Sequence, residues 1–302
     1  MSDAVKGMKI GWVGLGNMGL PMAGHLHAAG AEVIVWNRSA APAEAAAAQG
    51  MRRADSLAEL AANVGDGIVC LCLTTPDVVA AAVTELVAAL GAKALVIDFG
   101  TTGVPTTKRL AERIRWVDAP MSGGQVGAEA GNLTIMAGGT GENFARAKPL
   151  LEVVGGRVTH LGPVGSGQVA KLANQLIVAQ TIDAVAQAMR LAELSGVEAG
   201  KLREALLGGF ADSRILDLHG DRMARRDFVP GGKAAWQLKD VRLICELAES
   251  VGFRSPTLDN CRRQWERFVD ELGGAELDHS GLFTMYERTA GDLQVADGTR
   301  SC

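Results

Sequence analysis

Met8-Lys9-Ile10-Gly11-Trp12-Val13-Gly14-Leu15-Gly16-Asn17-Met18-Gly19 is the stretch that decides how the first half of this chain folds. Met8 to Val13 reads as a short buried strand, three glycines follow at GxGxxG spacing, and a helical pattern continues through Ala29. The first glycine permits a tight turn, the second lets backbone N–H groups reach a pyrophosphate, and the third lets helix pack close on strand. The helix N-terminus then faces the phosphates. A bare GxGxxG is a weak signal. Here it lies between strand and helix, with a second strand Glu32-Val33-Ile34-Val35-Trp36 at the proper distance. That context predicts dinucleotide binding by Gly14, Leu15, Gly16, Asn17, Met18 and Gly19.

The end of the second strand indicates which dinucleotide. Where an NAD site places an acid for the ribose 2′-hydroxyl, this chain has Asn37-Arg38-Ser39. These residues offer a guanidinium and a hydroxyl suited to a 2′-phosphate, so NADP is expected in preference to NAD, with NAD still possible. The plainer alternative is that Arg38 is a solvated surface arginine. Strand and helix keep alternating through Gly67–Leu73, Asp77–Leu90 and Ala94–Asp98, which predicts a doubly wound parallel sheet. Ligands bind beyond the carboxyl ends of such strands, so Leu73, Thr74, Thr75 and Thr101 are expected to touch cofactor. A third strand-end segment, Asp118 to Ala128, brings the Ser122 hydroxyl beside consecutive N–H groups at Gly123 and Gly124. It reads as a concave donor site for a carboxylate, or as a glycine turn and nothing more.

From Gly162 the sequence GPVGSGQVAKLANQLIVAQTIDAVAQAMRLAELSG opens with a Gly/Pro cluster and then runs without proline or internal glycine to Ser195-Gly196. It predicts one helix about 45 Å long. Apolar residues occupy almost every face, the pattern of a spine covered by protein on most sides. Near its start Gln168, Lys171, Asn174 and Gln175 share one polar stripe. Lys171 is either an ordinary helix lysine reaching solvent or an ammonium in partly desolvated surroundings, useful for proton transfer. Only helical patterns follow the spine.

The 302 residues suit two domains, read here as 1–165 and 166–302. With 48% hydrophobic, 21% charged and 4% aromatic residues and 38 glycines, the composition is that of an Ala/Gly-rich α/β enzyme. A net charge of −4 gives no general attraction for nucleic acid or an anionic membrane. No run of eighteen apolar residues spans a bilayer and no secretory signal is read, so the expected location is the cytoplasm. The five cysteines, Cys70, Cys72, Cys245, Cys261 and Cys302, form neither a disulfide framework nor a zinc pattern. The histidines never pair at ligand spacing, and no metal is expected. Asp278-His279-Ser280 invites a hydrolase reading, but consecutive residues point apart, and a helix N-cap accounts for them better.

Four motifs together resemble the β-hydroxyacid dehydrogenase family over nearly the whole chain. They are Gly14–Gly19, Asp118–Gly124, Gly165–Gln175, and Lys239-Asp240 with Leu243. The resemblance implies an N-terminal Rossmann domain followed by an all-α domain, joined by a long interdomain helix. It implies Lys171 as the catalytic residue, with Ser122, Gly123 and Gly124 taking the substrate carboxylate. Asn174, with Gln175, would help hold substrate, and Lys239 would line the same site near the nicotinamide. Within the family the chain is most similar to the tartronate semialdehyde reductases and next to the 3-hydroxyisobutyrate dehydrogenases. Met121 stands where valine is usual, and Met121 and Phe210 are expected to shape the pocket. A reader that binds dinucleotide without turnover would not need Lys171 with Asn174, and the imine reductases usually replace the lysine. Because short helices alone are too few to cover the spine, a homodimer or homotetramer is expected.

Overall fold

The computed structural model describes residues 3–288, and Cys302 lies outside them. The chain divides into two compact units, Met1–Leu172 and Ala173–Cys302.

The first unit is built on one sheet. Its strands are β1 (Lys9–Val13), β2 (Glu32–Trp36), β3 (Arg52–Arg53), β4 (Ile68–Leu71), β5 (Leu95–Asp98), β6 (Arg115–Asp118), β7 (Met121–Ser122), β8 (Leu133–Gly138) and β9 (Gly155–Gly162). They lie in the order β3-β2-β1-β4-β5-β6-β8-β7, with β9 paired to β8. Every neighbour from β3 to β6 is parallel, as the strand–helix alternation requires. Strand order reverses between β1 and β4, and the crevice at such a switch point is where these sheets take ligands. Beyond β6 the direction also reverses, since β8 is antiparallel to β6 and β7 while β9 runs parallel to β8. Connection length explains it. The link 123–132 is too short to recross the sheet, which takes about a dozen residues or more.

β4 and β5 are buried at every residue. Successive side chains pass to opposite faces. Ile68, Cys70, Leu95 and Ile97 join a layer with Trp12, Met22 and Leu26. Val69, Leu71 and Val96 join Leu57, Leu60, Val79 and Val83 in the other. Each large aliphatic chain so buried contributes roughly 1.5–3 kcal/mol, which is why two short strands suffice to centre the sheet. Cys70 and Cys72 pack in the first layer as small hydrophobes. Burial pushes the Cys72 thiol up to about 12, with the nearby Asp98 adding to the effect, so it is no nucleophile near neutral pH.

The spine helix runs Ser166–Leu194, 29 residues, and the division between the units falls inside it. Among its described residues the second unit has no strand, only an isolated bridge between Lys233 and Asp278. Helices Ala199–Leu206, Arg214–Arg225, Ala234–Ser250 and Pro256–Glu266 follow, the last continuing as a π turn over Arg267–Glu271. Their core gathers Ile182, Ala186, Met189, Met223, Trp265 and Phe268. The spine's cover is one-sided in this unit, because Ile177 and Leu191 are each 67% exposed with exposed Ala184 and Ala188 between them. Among the described residues no helix is long and apolar enough to cross a membrane.

Candidate active site

The glycine turn leaves β1 at the switch point, and its three glycines do three different things. Gly14 has φ +96°, and a Cβ there would lie 2.3 Å from the Cys72 carbonyl oxygen. A Cβ at Gly19, the first residue of helix Gly19–Ala28, would lie 2.0 Å from the Gly14 carbonyl oxygen. Those two positions are closed by protein. At Gly16 a Cβ would meet no protein atom within 4 Å. The backbone is bare there on an open side, which fits the approach of a dinucleotide phosphate. Trp12 Nε1 donates to the Gly14 carbonyl at 2.9 Å, and Leu15 N–H donates to Asn37 Oδ1 at 3.0 Å.

Asn37 therefore works as a tie. Its Nδ2 also donates to the Ser39 carbonyl at 3.0 Å, so its carboxamide binds the end of β2 to the glycine turn. Arg38 and Ser39 stand exposed beyond β2, and among the described residues no hydrogen bond or ion pair engages either side chain. Thr74 is exposed where β4 ends, whereas the Thr75 hydroxyl accepts from Val78 N–H and caps helix Pro76–Val87. Leu73 packs towards the glycine turn, 3.1 Å from where a Gly14 Cβ would be. Thr101 is half-buried in the loop that leaves β5.

Beyond β6 the chain passes through Met121 and Ser122 of β7 into Gly123 (φ +135°) and Gly124 (φ +62°), which begin the short helix Gly124–Glu129. Both glycines are exposed, Ser122 and Met121 half-buried. The far end of that helix is held by His25, whose Nε2 lies 3.1 Å and 3.0 Å from the carbonyls of Ala128 and Glu129.

The start of the spine is fastened to the same strand ends. Asp118, fully buried at the end of β6, accepts from Gly165 N–H at 2.8 Å and Gln168 N–H at 2.9 Å. Burial pushes its carboxyl up from the ordinary carboxylate value, against the pull of those N–H groups. Gly138 and Gly167 make the approach possible. A Cβ on Gly138 would lie 2.8 Å from both Asp118 carboxylate oxygens, and one on Gly167 would lie 2.4 Å from the Met136 carbonyl. The Gln168 carboxamide donates to the Gly100 carbonyl at 2.9 Å and accepts from Thr102 and Gly103 N–H at 3.0 and 3.3 Å. Lys171, half-buried, is one turn further along and shares a face with Gly167 and Gln168.

In the second unit Asn174 Nδ2 donates to Gln175 Oε1 at 2.9 Å, and Gln175 Nε2 donates to Asp240 Oδ2 at 2.6 Å and Gln237 Oε1 at 3.1 Å. Lys239 Nζ pairs with Asp240 Oδ1 at 3.0 Å. Asn174, Gln175 and Lys239 thus meet in one network, centred on two buried residues, Asp240, which stands in the Lys239-Asp240 motif but was given no role of its own, and Gln237, which was not singled out. Their signal was a polar pair recurring on an apolar face of helix Ala234–Ser250. Phe210 stands fully exposed between helices Ala199–Leu206 and Arg214–Arg225.

Asp278 caps the short helix His279–Phe283 and accepts from Ser280 N–H at 3.1 Å and Oγ at 2.7 Å. It also meets His219 Nδ1 at 3.3 Å and Arg222 at 3.0 Å. The carboxylate stands between serine and histidine, whereas a hydrolase needs the histidine in the middle. Burial alone would raise this carboxyl, but the bonds from His219 and Ser280 outweigh it and hold it far below the usual carboxylate range.

Residues 9–162 match the family described as the NAD binding domain of 6-phosphogluconate dehydrogenase. Residues 165–286 match the one described as NAD-binding of NADP-dependent 3-hydroxyisobutyrate dehydrogenase. The chain is 37% identical to Escherichia coli (strain K12) 2-hydroxy-3-oxopropionate reductase, over 94% of this chain and 98% of that protein. It is 34% identical to an Arabidopsis thaliana protein described as probable 3-hydroxyisobutyrate dehydrogenase-like 1, mitochondrial, over 83% and 77%. A solved structure of Mycobacterium tuberculosis 3-hydroxyisobutyrate dehydrogenase with L-serine superposes with a TM-score of 0.85 at 30% identity, covering 93% of this chain and 100% of that one. A glycine turn at a sheet switch point is the dinucleotide-binding arrangement, and the matched families make the chain a nicotinamide-dinucleotide oxidoreductase. This chain belongs to the 3-hydroxyisobutyrate dehydrogenase-like β-hydroxyacid dehydrogenases, NAD(P)-dependent enzymes.

Proposed function

We propose that the enzyme interconverts a small 3-oxo carboxylic acid and its 3-hydroxy acid with NADP(H), with tartronate semialdehyde (2-hydroxy-3-oxopropionate) as the substrate to test first. The observation that carries this reading is Lys171, placed one turn after a helix start that Asp118 and Gln168 fasten to the ligand edge of the sheet. A bound nicotinamide supplies the hydride. As charge grows on the carbonyl oxygen, Lys171 as ammonium donates the proton; in reverse the neutral amine removes it from the alcohol. Ser122 and the N–H groups of Gly123 and Gly124 hold the carboxylate and so orient the carbonyl. Asn174 and Lys239 act as substrate contacts, kept in place by Gln175 and Asp240.

Arg38 and Ser39, unengaged among the described residues, support a 2′-phosphate and hence NADP. The reductase similarity supports tartronate semialdehyde. A 3-hydroxyisobutyrate dehydrogenase is the second reading, favoured by the Mycobacterium tuberculosis structure, whose L-serine is itself a 3-hydroxy acid. We also propose a homodimer or homotetramer, supported by the exposed apolar stripe Ile177, Ala184, Ala188 and Leu191. The test is kcat/KM over small 3-oxo and 3-hydroxy acids with each cofactor. Highest turnover on tartronate semialdehyde with NADPH is expected; preference for 3-hydroxyisobutyrate selects the second reading, and cofactor binding without turnover on any acid refutes both.

A further inference from the structure

Three residues before Lys171 stands an amide with 0% exposure, Gln168. A methionine would fill the same space without a polar group to satisfy, yet this carboxamide is used at both ends. Its Nε2 donates to the Gly100 carbonyl, and its Oε1 accepts from Thr102 and Gly103 N–H. All three partners lie in the loop that leaves β5. That loop is fixed from beneath by Asp98, which accepts from Gly100 N–H at 2.9 Å and from the Thr102 hydroxyl at 2.5 Å.

The spine therefore has two anchors of different kinds. Asp118 holds main-chain N–H groups and sets where the helix begins. Gln168 holds by its side chain, from one face, and so sets the rotation of the first turns about the helix axis. At about 3.6 residues per turn, Lys171 lies roughly 60° around the axis from Gln168, so any rotation Gln168 prevents would displace the Lys171 side chain by the same angle. We infer that Gln168 is a positioning residue for proton transfer, locking the lysine-bearing turn to the strand-end loop that carries Thr101. The inference rests on the reading of Lys171 as the acid.

Two variants separate this role from plain stability, measured beside wild type and Lys171→Ala. Gln168→Met keeps the volume and removes every side-chain hydrogen bond while leaving the main-chain N–H to Asp118. It should lower kcat about ten- to a hundredfold, the cost of a misplacement near 1 Å, while KM for NADPH stays within about threefold of wild type. Gln168→Glu can reproduce the amide only when protonated, donating to Gly100 and accepting from Thr102 and Gly103. A buried carboxyl is protonated further up the pH scale than an exposed one. Its kcat should fall with rising pH over a range where the wild-type value does not.

Wild-type kcat in Gln168→Met while Lys171→Ala is inactive overturns the inference and leaves the proposed function standing. So does loss of NADPH binding in step with kcat, which would mark a prop for the cofactor loop. If Gln168→Met does not fold, Gln168→Glu decides alone, and a pH profile parallel to wild type overturns the inference. A wild-type enzyme inactive on every 3-oxo acid with either cofactor removes the reading and the inference together.

Discussion

A lysine on a long helix usually carries its ammonium out to water along its own stem. Lys171 differs in what its turn is fastened to, since Gly167 and Gln168 on the same face are held by the ends of β6 and β8 and by the loop after β5. Lys171→Ala should lower kcat by about 10²–10⁴-fold, the loss typical of a general acid, with NADPH affinity little changed. Single-turnover kinetics and cofactor titration check both halves, and retained turnover would leave the mechanism without its proton donor. Arg38 is the second residue on which a single property turns. It is exposed and unengaged among the described residues, so replacing it should not disturb the fold. Arg38→Asp should move the NADPH/NADH ratio of kcat/KM towards NADH by about tenfold or more, since a charge reversed beside a phosphate costs at least about 1.4 kcal/mol. A wild-type enzyme that already favours NADH would defeat this.

At the scale of elements, two features resist substitution for different reasons. Gly167→Ala would gain up to about 1 kcal/mol of helix propensity. The new methyl would stand 2.4 Å from the Met136 carbonyl and 2.7 Å from that of Asp118, backbone atoms that cannot swing aside. Overpacking of this kind costs about 1–3 kcal/mol or more, so a net loss of stability is expected in urea denaturation. The second feature is the cap of helix His279–Phe283. Asp278 is held below its unfolded value, so its contribution is fully present above about pH 4 and is lost as pH falls from there towards the folded value. Asp278→Asn should flatten the acid limb of the stability curve and lower Tm at neutral pH. An acid limb identical to wild type would show that His219 and Arg222 do not stabilise that carboxylate. The N-cap was legible in the sequence because capping depends on local spacing. So were β1, β2 and the glycine turn, where period and punctuation agree. β9 was not, because most of its residues are exposed and nothing alternates; its pairing with β8 is what orders it. The Asp118 and Gln168 anchors were equally silent, for they join residues 47 to 68 positions apart, and no local pattern encodes a contact of that range.

For the molecule as a whole, the sequence expected a spine covered on nearly every side, and the second unit covers only part of it. Ala179, Ile182, Ala186 and Met189 enter the core. Ile177, Ala184, Ala188 and Leu191 fall at i, i+7, i+11 and i+14, a single exposed stripe along the same helix. Its composition fits helix against helix, because two alanines between larger side chains let a partner helix approach closely. In the proposed homo-oligomer a second copy of the chain would be the occupant: a two-fold contact would set this stripe against its own image and cover both at once. Leu191→Glu should place a carboxylate at one end of that contact, where burial without a partner costs several kcal/mol, more than a modest interface can lose. Light scattering at micromolar concentration should show wild type as a dimer or tetramer and Leu191→Glu shifted to monomer, with the circular dichroism of the helices unchanged because residue 191 faces solvent within one chain. A wild-type enzyme that is monomeric at that concentration removes the proposal. An oligomer indifferent to both Leu191→Glu and Ile177→Glu places the interface elsewhere on the chain and leaves this stripe simply wet.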